Sequence, residues 1–384
     1  MSDSDPAGPR HVRALGVERE GAAYIWGYDE GPLEDGQFRV ETLYTGLSAG
    51  TELTFFKGTN PYLHSRYDGD WGVFREGEPS AHFPVPFLGY MEVGRVVASR
   101  TDAVDVGQVV GMTYGHKTGH TADPRHERVV PLPDGLDPVL GIYAAQMGPI
   151  CANGLLHAAA DLHGAGASDL GDGVRGRRVL VMGGGTIGLL LGLWARWLGA
   201  AEVALADPTP ERRDAARALG LRPLDGFEEA ARWCKEQWHA GPGDRGADLA
   251  FQCRGQDAAL EAALKALRPQ ATVVDLAFYQ GGAPHVRLGE AFHHNGLRLQ
   301  CAQIGRVPRE LTAAWTVERL AHETVRFLSA NADALRQHVV TDVVPFDQAP
   351  DLMRDLAERR RHAIQAVFAV HGPAGGADGG EGAS

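Results

Sequence analysis

The stretch "VLVMGGGTIG", residues 179–188, combines an apolar run, a cluster of glycines and the start of an apolar helix. Gly183, Gly185 and Gly188 have G-x-G-x-x-G spacing, which by itself is a weak signal. Here the pattern follows a predicted buried strand, and Asp207 closes the next strand, "VALAD", about 20 residues later. In that context the stretch predicts a dinucleotide-binding βαβ unit.

Each residue of the turn has a predicted task. Gly183 permits the tight turn, Gly185 lets a pyrophosphate approach the backbone, and Gly188 lets the helix pack closely on the sheet. Thr186 and Ile187 open the helix, where free N–H groups and the helix dipole attract phosphate. We therefore expect all five residues to contact the cofactor.

The ends of the neighbouring strands should complete the cofactor site. Asp207 would accept hydrogen bonds from the adenosine ribose and repel a 2′-phosphate, so the sequence favours NAD(H). Arg212 lies about one helical turn further on and works against that preference. Cys253 in "QCRG" and Leu276 and Phe278 in "DLAFY" follow later strands, and ligands sit at such carboxyl ends.

The rest of the chain suggests two domains. Residues 11 to about 150 read as short strands punctuated by Gly and Pro, which predicts a β-rich domain. From there strands alternate with helices, which predicts right-handed βαβ units and a doubly wound parallel sheet. We assign 153–310 to the nucleotide-binding domain and 1–152 with 311–384 to the second domain, and we expect disorder at about 1–10 and 372–384.

Net charge, apolar content and cysteine spacing argue against several classes of protein. The 384 residues carry a net charge of −12, which argues against nucleic acid as a partner. We find no apolar run long enough for a membrane span and no signal peptide, so we expect a cytoplasmic protein without membrane contact. The four cysteines form no C-x-x-C pair, which argues against a disulfide framework or a cysteine-rich structural zinc site.

Two further motifs carry a family resemblance. With the glycine turn, "GLSAGTE" (46–52) and "GYMEVGRV" (89–96) resemble the medium-chain dehydrogenase/reductase superfamily over about residues 12–370. The resemblance implies a GroES-like catalytic domain, a Rossmann NAD-binding domain, a small-molecule substrate and a homodimer formed through an edge strand. "GLSAGTE" and "FHHNGLRLQCAQIGRVP" (292–308) are also similar to the branch that contains bacteriochlorophyllide 3-hydroxyethyl dehydrogenase.

The zinc ligands of that superfamily are missing. Where its zinc enzymes have a cysteine, a histidine and a Cys or Glu, this chain has Ser48 or Ala49, Tyr90, and Gly148 or Pro149. A catalytic zinc needs ligands of the Cys, His or carboxylate type, so we predict no metal there. The alternative is a histidine site built from His116, His120 and His126, but that segment is rich in Gly and Thr and predicts strand and loop.

Other groups must then stabilise the substrate oxygen during hydride transfer. By resemblance Thr51 matches the Ser/Thr that relays the proton, and Glu52 matches the acid that orients a ligand histidine. Tyr90 could donate its phenol hydrogen bond to the same oxygen, with Ser48 nearby. A phenol needs a neighbouring cation to act as a base, and Lys57 or a histidine could supply it.

The segment 57–87 is long for a connection and rich in aromatic and polar residues, which is typical of a functional loop. It predicts an aromatic-walled pocket for a bulky polar substrate such as a cyclitol, a sugar or a natural-product alcohol. We expect substrate contacts from Tyr62, His64, Arg66, His116 and Asn153.

The leading interpretation is a zinc-independent, NAD(H)-dependent oxidoreductase that interconverts a secondary alcohol and a ketone. One alternative is an NADPH-dependent enoyl or quinone reductase, against which Asp207 counts. A second alternative is a non-catalytic protein that senses NAD(H) or acts as a scaffold.

Overall fold

A computed structural model describes residues 5–371 of the chain, which form two compact units, Met1–Ile142 with Val340–Ser384 and Tyr143–Val339. The predicted disorder of 372–384 and of the first four residues lies outside the described part. Residues 5–10, also predicted to be disordered, instead make defined contacts. Ala7 accepts a hydrogen bond from the Leu33 amide at 2.8 Å, and Pro6 accepts one from buried Arg39 at 2.9 Å.

The second unit is built on a parallel sheet whose central, apolar strands are buried on both faces. Its strands are β10 (Arg178–Met182), β11 (Glu202–Asp207), β12 (Arg222–Asp225), β13 (His239–Gly241), β14 (Asp244–Arg245), β15 (Ala247–Gln252), β16 (Leu267–Asp275) and β17 (Arg298–Cys301). Its helices are α2 (Met147–His163), α3 (Thr186–Trp197), α4 (Pro210–Ala218), α5 (Phe227–Gln237), α6 (Asp257–Ala266), α7 (Val317–Ala330) and α8 (Ala332–His338).

Six of these strands run in the order β12-β11-β10-β15-β16-β17, and every neighbouring pair is parallel. This is the Rossmann order, in which the direction of strand addition reverses between β10 and β15. A ligand crevice is expected outside the carboxyl ends of the strands at that reversal.

The first unit is β-rich. Its strands are β1 (Arg10–Arg19), β2 (Ala22–Glu30), β3 (Phe38–Leu47), β4 (Ser65–Asp68), β5 (Val73–Glu76), β6 (Glu92–Ser99), β7 (Val109–Met112), β8 (Gly119–Ala122), β9 (Val130–Pro131), β18 (Val340–Pro345) and β19 (Gln365–Ala369). Two helices, α1 (Ala49–Phe56) and α9 (Ala349–Ala357), belong to the same unit. Its seven-stranded sheet has the order β18-β19-β3-β6-β7-β9, with β8 also paired to β3.

These two architectures confirm the predicted fold class. The observed unit boundaries fall at 142/143 and 339/340 rather than at the predicted 152/153 and 310/311. The chain re-enters the first unit later than predicted because α7 packs within the second unit. Phe327 of α7 stacks on Trp194 of α3 with ring centroids 4.3 Å apart. Within the described residues, no helix has the length and apolar character needed to cross a membrane.

Candidate functional site

The glycine turn between β10 and α3 has the shape that a dinucleotide requires. Gly183 has a φ of +102°, which side chains rarely adopt. A Cβ on Gly188 would lie 1.8 Å from the Gly183 carbonyl oxygen, so only glycine allows the helix to come this close. A Cβ on Gly185 would meet nothing within 4 Å. The open space at Gly185, just before Thr186 and Ile187 begin α3, therefore fits a phosphate group.

Asp207 lies at the end of β11 as predicted, but its carboxylate is fully buried. Its two oxygens accept N–H groups from Gly184 and Thr209, each at 2.8 Å. Arg212 and Arg254 approach one oxygen at 3.5 and 3.7 Å. Burial alone would raise the pKa of Asp207, but these hydrogen bonds and Arg212 lower it below its ordinary value. Sequence reasoning named Arg212 individually and included Arg254 only as part of the strand end "QCRG".

The other predicted cofactor residues follow adjacent strands of the same sheet. The Cys253 amide bonds to the Met182 carbonyl, and the Leu276 amide to the Gln252 carbonyl, each at 2.9 Å. The Leu276 side chain packs beside Gly154 of α2, and Phe278 is 45% exposed. These residues therefore lie at the ends of β15 and β16, next to the glycine turn at the end of β10.

A polar network at these strand ends was not predicted. The Tyr279 hydroxyl donates to the Asp275 carboxylate at 2.8 Å and accepts from the Gln252 amide at 3.1 Å. Burial raises the pKa of Asp275 above its ordinary value. This network could have been inferred from the sequence, because Gln252 and Asp275 are polar residues at the ends of two buried strands.

Asn153 has a different environment from the predicted substrate contact. It is fully buried in α2, and its amide group donates to the carbonyls of Ala302, Gln303 and Arg306 at 3.1 to 3.4 Å. With its N–H groups used in this way, Asn153 fixes the loop after β17.

In the first unit, the proposed catalytic hydroxyls meet at the start of α1. The hydroxyls of Ser48 and Tyr90 hydrogen-bond to each other, and Thr51 also hydrogen-bonds to the Tyr90 phenol. Burial raises the pKa of Tyr90 above its ordinary value, Glu52 and Glu92 add to that effect, and the two hydroxyls oppose it. Tyr90 is therefore a neutral hydrogen-bond donor rather than a ready base.

The Glu52 carboxylate is paired with His116. The Glu52 carboxylate accepts the Ser48 amide at 2.7 Å and lies 2.6 Å from Nε2 of His116. His116, predicted to contact substrate, is instead 1% exposed and enclosed in this cluster. Its Nδ1 contacts the Thr45 hydroxyl, which donates to Glu92 at 3.1 Å. Thr45 and Glu92 were not singled out from the sequence.

A catalytic zinc does not fit these residues. A hydroxyl side chain or an apolar residue stands at each place where the superfamily has a ligand. Across residues 5–371, no group of three or more His, Cys, Asp or Glu side chains is arranged to hold a metal ion. In the alternative histidine set, His116 is paired with Glu52 and His120 with Glu127 at 2.7 Å, while the His126 side chain is 78% exposed.

The three remaining predicted substrate residues lie along the 57–87 segment, which is ordered around the β4–β5 hairpin. Tyr62 is 39% exposed and packs near Phe74, with ring centroids 6.0 Å apart. His64 lies 3.3 Å from the Gly58 carbonyl, and Arg66 pairs with Glu78 at 2.7 Å. The three side chains thus have separate partners.

Hydrogen bonds tie the base of this segment to the helix that carries Thr51. The Thr54 hydroxyl donates to the Thr51 carbonyl at 2.6 Å and accepts from the Asn60 amide at 2.7 Å. Asn60 in turn accepts the Tyr62 backbone N–H at 3.0 Å. Tyr62 is therefore held in a fixed relation to α1.

Known proteins share this sequence pattern and fold. A family model described as zinc-binding dehydrogenase matches residues 186–317. D-guloside 3-dehydrogenase of Escherichia coli (strain K12) is 25% identical over 336 residues, which cover 84% of this chain and 90% of that protein. The crystal structure of galactitol-1-phosphate dehydrogenase from Escherichia coli has a TM-score of 0.69 at 16% identity, covering 93% of this chain and 99% of that one.

L-Idonate 5-dehydrogenase from Escherichia coli K-12 has a TM-score of 0.67 at 17% identity and covers 95% of this chain and 100% of its own. At such low identity these solved structures show the fold alone. The glycine turn, the strand order and the sequence matches agree with one another, and the chain is similar to dehydrogenases of the medium-chain dehydrogenase/reductase type.

Proposed function

We propose that this protein is an NAD(H)-dependent dehydrogenase that interconverts a secondary alcohol and a ketone on a bulky polar substrate without a catalytic zinc. The observation that carries the proposal is the contact of the Ser48, Thr51 and Tyr90 hydroxyls, at the position where the zinc enzymes hold their metal. The names of the relatives, a guloside dehydrogenase and two polyol or sugar-acid dehydrogenases, support a sugar, cyclitol or glycoside as the substrate class.

Interconversion of an alcohol and a ketone requires two contributions from this chain besides binding the cofactor. The nicotinamide cofactor supplies or accepts the hydride when it is bound. The chain must stabilise negative charge on the substrate oxygen and move one proton there. Tyr90 is suited to donate a hydrogen bond to that oxygen, because its raised pKa keeps the hydroxyl hydrogen in place. Thr51, which by resemblance matches the relay hydroxyl, would pass a proton from solvent to the oxygen in ketone reduction, and alcohol oxidation reverses these steps.

The preference for NAD(H) rests on Asp207. Its buried carboxylate is ionised and would face the phosphate of NADP(H) at the end of β11. The second candidate function, an NADPH-dependent reductase of activated double bonds, is favoured by Arg212 and Arg254, which lie within 3.7 Å of the same carboxylate.

The cofactor is tested by titrating NADH and NADPH and following energy transfer from tryptophan to the nicotinamide. We expect tighter NADH binding. Asp207→Ala should shift the ratio of the two dissociation constants toward NADPH by at least about ten-fold, because it removes one like charge and leaves two arginines. Asp225→Ala, which removes an exposed carboxylate from the next strand, is the matched control and should leave the ratio unchanged.

The reaction is tested by turnover of neutral polyols, cyclitols and methyl glycosides, with metal content measured on the same sample. We expect activity that survives chelation, and a loss of about 10²-fold in kcat for Tyr90→Phe, the cost typical of one oxyanion donor. Tyr24→Phe on β2 serves as the control. Stoichiometric zinc that restores activity after chelation would reject the zinc-independent mechanism, and tighter NADPH binding would put the reductase first.

A further inference from the structure

Four polar side chains from separate segments form a buried cluster beneath the Ser48–Tyr90 pair. They are Thr45 of β3, Glu52 of α1, Glu92 of β6 and His116 of the loop after β7, and each is at most 2% exposed. A protein interior holds such groups only when hydrogen bonds and charges are matched. The arrangement of hydrogens in the cluster can therefore be worked out from its geometry.

When every contact in the cluster is counted as a hydrogen bond, the number of protons is fixed. Nε2 of His116 lies 2.6 Å from Glu52, whose carboxylate accepts only, so Nε2 carries a hydrogen. Thr45 contacts both His116 and Glu92 and has a single hydroxyl hydrogen for the two. Either Nδ1–H donates to Thr45, which donates to a Glu92 carboxylate, or a protonated Glu92 donates to Thr45, which donates to Nδ1. Both arrangements hold one shared proton.

We propose that Thr45 joins Glu92 and His116 into one proton-sharing unit, and that His116 acts through Glu52 as a positioning residue for Ser48 and Tyr90. The second half rests on the proposed dehydrogenase function. Glu52 receives His116 on one oxygen and the Ser48 amide on the other, at 2.6 and 2.7 Å. Ser48 in turn meets the Tyr90 hydroxyl, so the shared proton and the catalytic hydroxyls are linked through Glu52.

The charges around His116 stabilise its protonated form. Burial alone would lower the pKa of His116, but Glu52 and Glu92 raise it above its ordinary value. Burial raises the pKa of Glu92 to about 7. The other ionisable neighbours that interact with these carboxylates are Tyr90, Tyr114 and Lys117. The aromatic ring of Phe368 covers another side of the imidazole, at 5.2 Å between centroids.

Losing the shared proton would leave two buried carboxylates around a neutral imidazole. Glu52 would then keep the Nε2–H hydrogen bond but lose the positive charge beside it, and its contact with the Ser48 amide would weaken. A misplacement of about 1 Å at a catalytic group can cost about 10²-fold in rate. The proposal therefore predicts an alkaline fall in kcat that tracks the loss of the His116 proton.

The unit is tested first without turnover, by following imidazole nitrogen signals by NMR in the full-length protein. His116→Gln identifies the His116 signals by their loss. We expect wild-type His116 to carry hydrogens on both nitrogens at neutral pH, or one hydrogen in rapid exchange with Glu92. Thr45→Val keeps the shape but removes the bridge, and should move the midpoint of this titration down by about one pH unit.

Thr42→Val is the matched control, because Thr42 is also buried on β3 and its hydroxyl bonds to Tyr114 at 2.6 Å. Thr42→Val should leave the midpoint of the His116 titration unchanged. A neutral His116 that shows no exchange with Glu92 at neutral pH, or equal titrations in the two threonine variants, would overturn the shared proton.

The positioning role is tested by kinetics of His116→Gln, which keeps an N–H donor for Glu52 but cannot hold the proton. We expect kcat to fall by about 10²-fold with KM and NADH binding unchanged, and the alkaline limb of the kcat profile to disappear. His120→Gln, with its imidazole paired to Glu127, is the control. An unchanged alkaline limb would reject the positioning role. If no substrate is turned over by the wild type, the proposed function fails, while the NMR result still decides the shared proton.

Discussion

Burial makes Glu92 a group whose charge depends on pH near neutrality. Its pKa rises from 4.5 to about 7, so the folded chain retains a proton that the unfolded chain loses in between. The free energy of unfolding should therefore fall as pH rises through this window, by at most about 3 kcal/mol. Glu92→Gln has no such proton to lose, and chemical denaturation at several pH values should show a flatter profile.

Glu41→Gln is the matched control, since Glu41 lies exposed on β3 and its substitution should keep the wild-type slope. His116, whose pKa is also raised, contributes a decline of the same sign. Glu41→Gln retains this decline in full, whereas Glu92→Gln retains only the part that Glu52 causes. A Glu92→Gln profile that still parallels the wild type between 4.5 and about 7 would mean that Glu92 is ionised throughout.

The residues of the site differ in how far the sequence could reveal them. Tyr90 and Ser48 were singled out because each stands at a known position of a motif, and the structure joins their hydroxyls. Thr45 and Glu92 were missed because their contact depends on the register of β3 against β6, where an irregularity occurs between Thr42 and Tyr44. Side-chain alternation alone does not predict which residues meet across such an irregularity.

At the scale of elements, two glycines of the β10–α3 turn have different predicted tasks. Gly188 allows close packing of the helix, and Gly185 allows the cofactor to approach. Gly188→Ala would place a Cβ 1.8 Å from the Gly183 carbonyl, so α3 must move off β10. We expect it to lower the free energy of unfolding by about 1–3 kcal/mol and to abolish NADH binding. Gly185→Ala meets no atom within 4 Å and has a φ of −77°, so only the approach of a phosphate is obstructed.

The matched pair is measured by thermal unfolding and by NADH titration. Gly185→Ala should unfold like the wild type and bind NADH weakly, whereas Gly188→Ala should be impaired in both. Equal NADH binding by Gly185→Ala and the wild type would mean that the pyrophosphate does not approach this turn.

The 57–87 segment contains secondary structure that the sequence did not predict. Its aromatic content predicted order, but the β4–β5 hairpin within it was not predicted. The strands are four residues each, and Tyr67 pairs with Phe74 across the hairpin while remaining 42% exposed. Strands this short, with no buried face, lack the alternation of apolar and polar residues from which strands are inferred.

At the scale of the whole molecule, the fold class could be predicted and the unit boundaries could not. The alternation of strands and helices predicted a parallel sheet, because parallel neighbours need crossover helices. The boundary near 340 was missed because α7 continues the helical pattern with no composition change to mark its unit. Its assignment depends on tertiary packing, such as the Phe327–Trp194 stack and the contact of Thr324 with Gly148 of α2.

The two units also differ in continuity, which leads to a prediction about independent folding. Residues 143–339 form one uninterrupted stretch with its own parallel sheet and core, whereas the β-rich unit needs β19 from the far end of the chain to pair with β3. We expect a fragment of residues 143–339 to fold cooperatively and to bind NADH, because the glycine turn and Asp207 lie within it. Energy transfer and thermal unfolding would test this, with Gly185→Ala in the same fragment as the control that folds without binding. A wild-type fragment that folds but does not bind NADH would show that the β-rich unit supplies essential cofactor contacts.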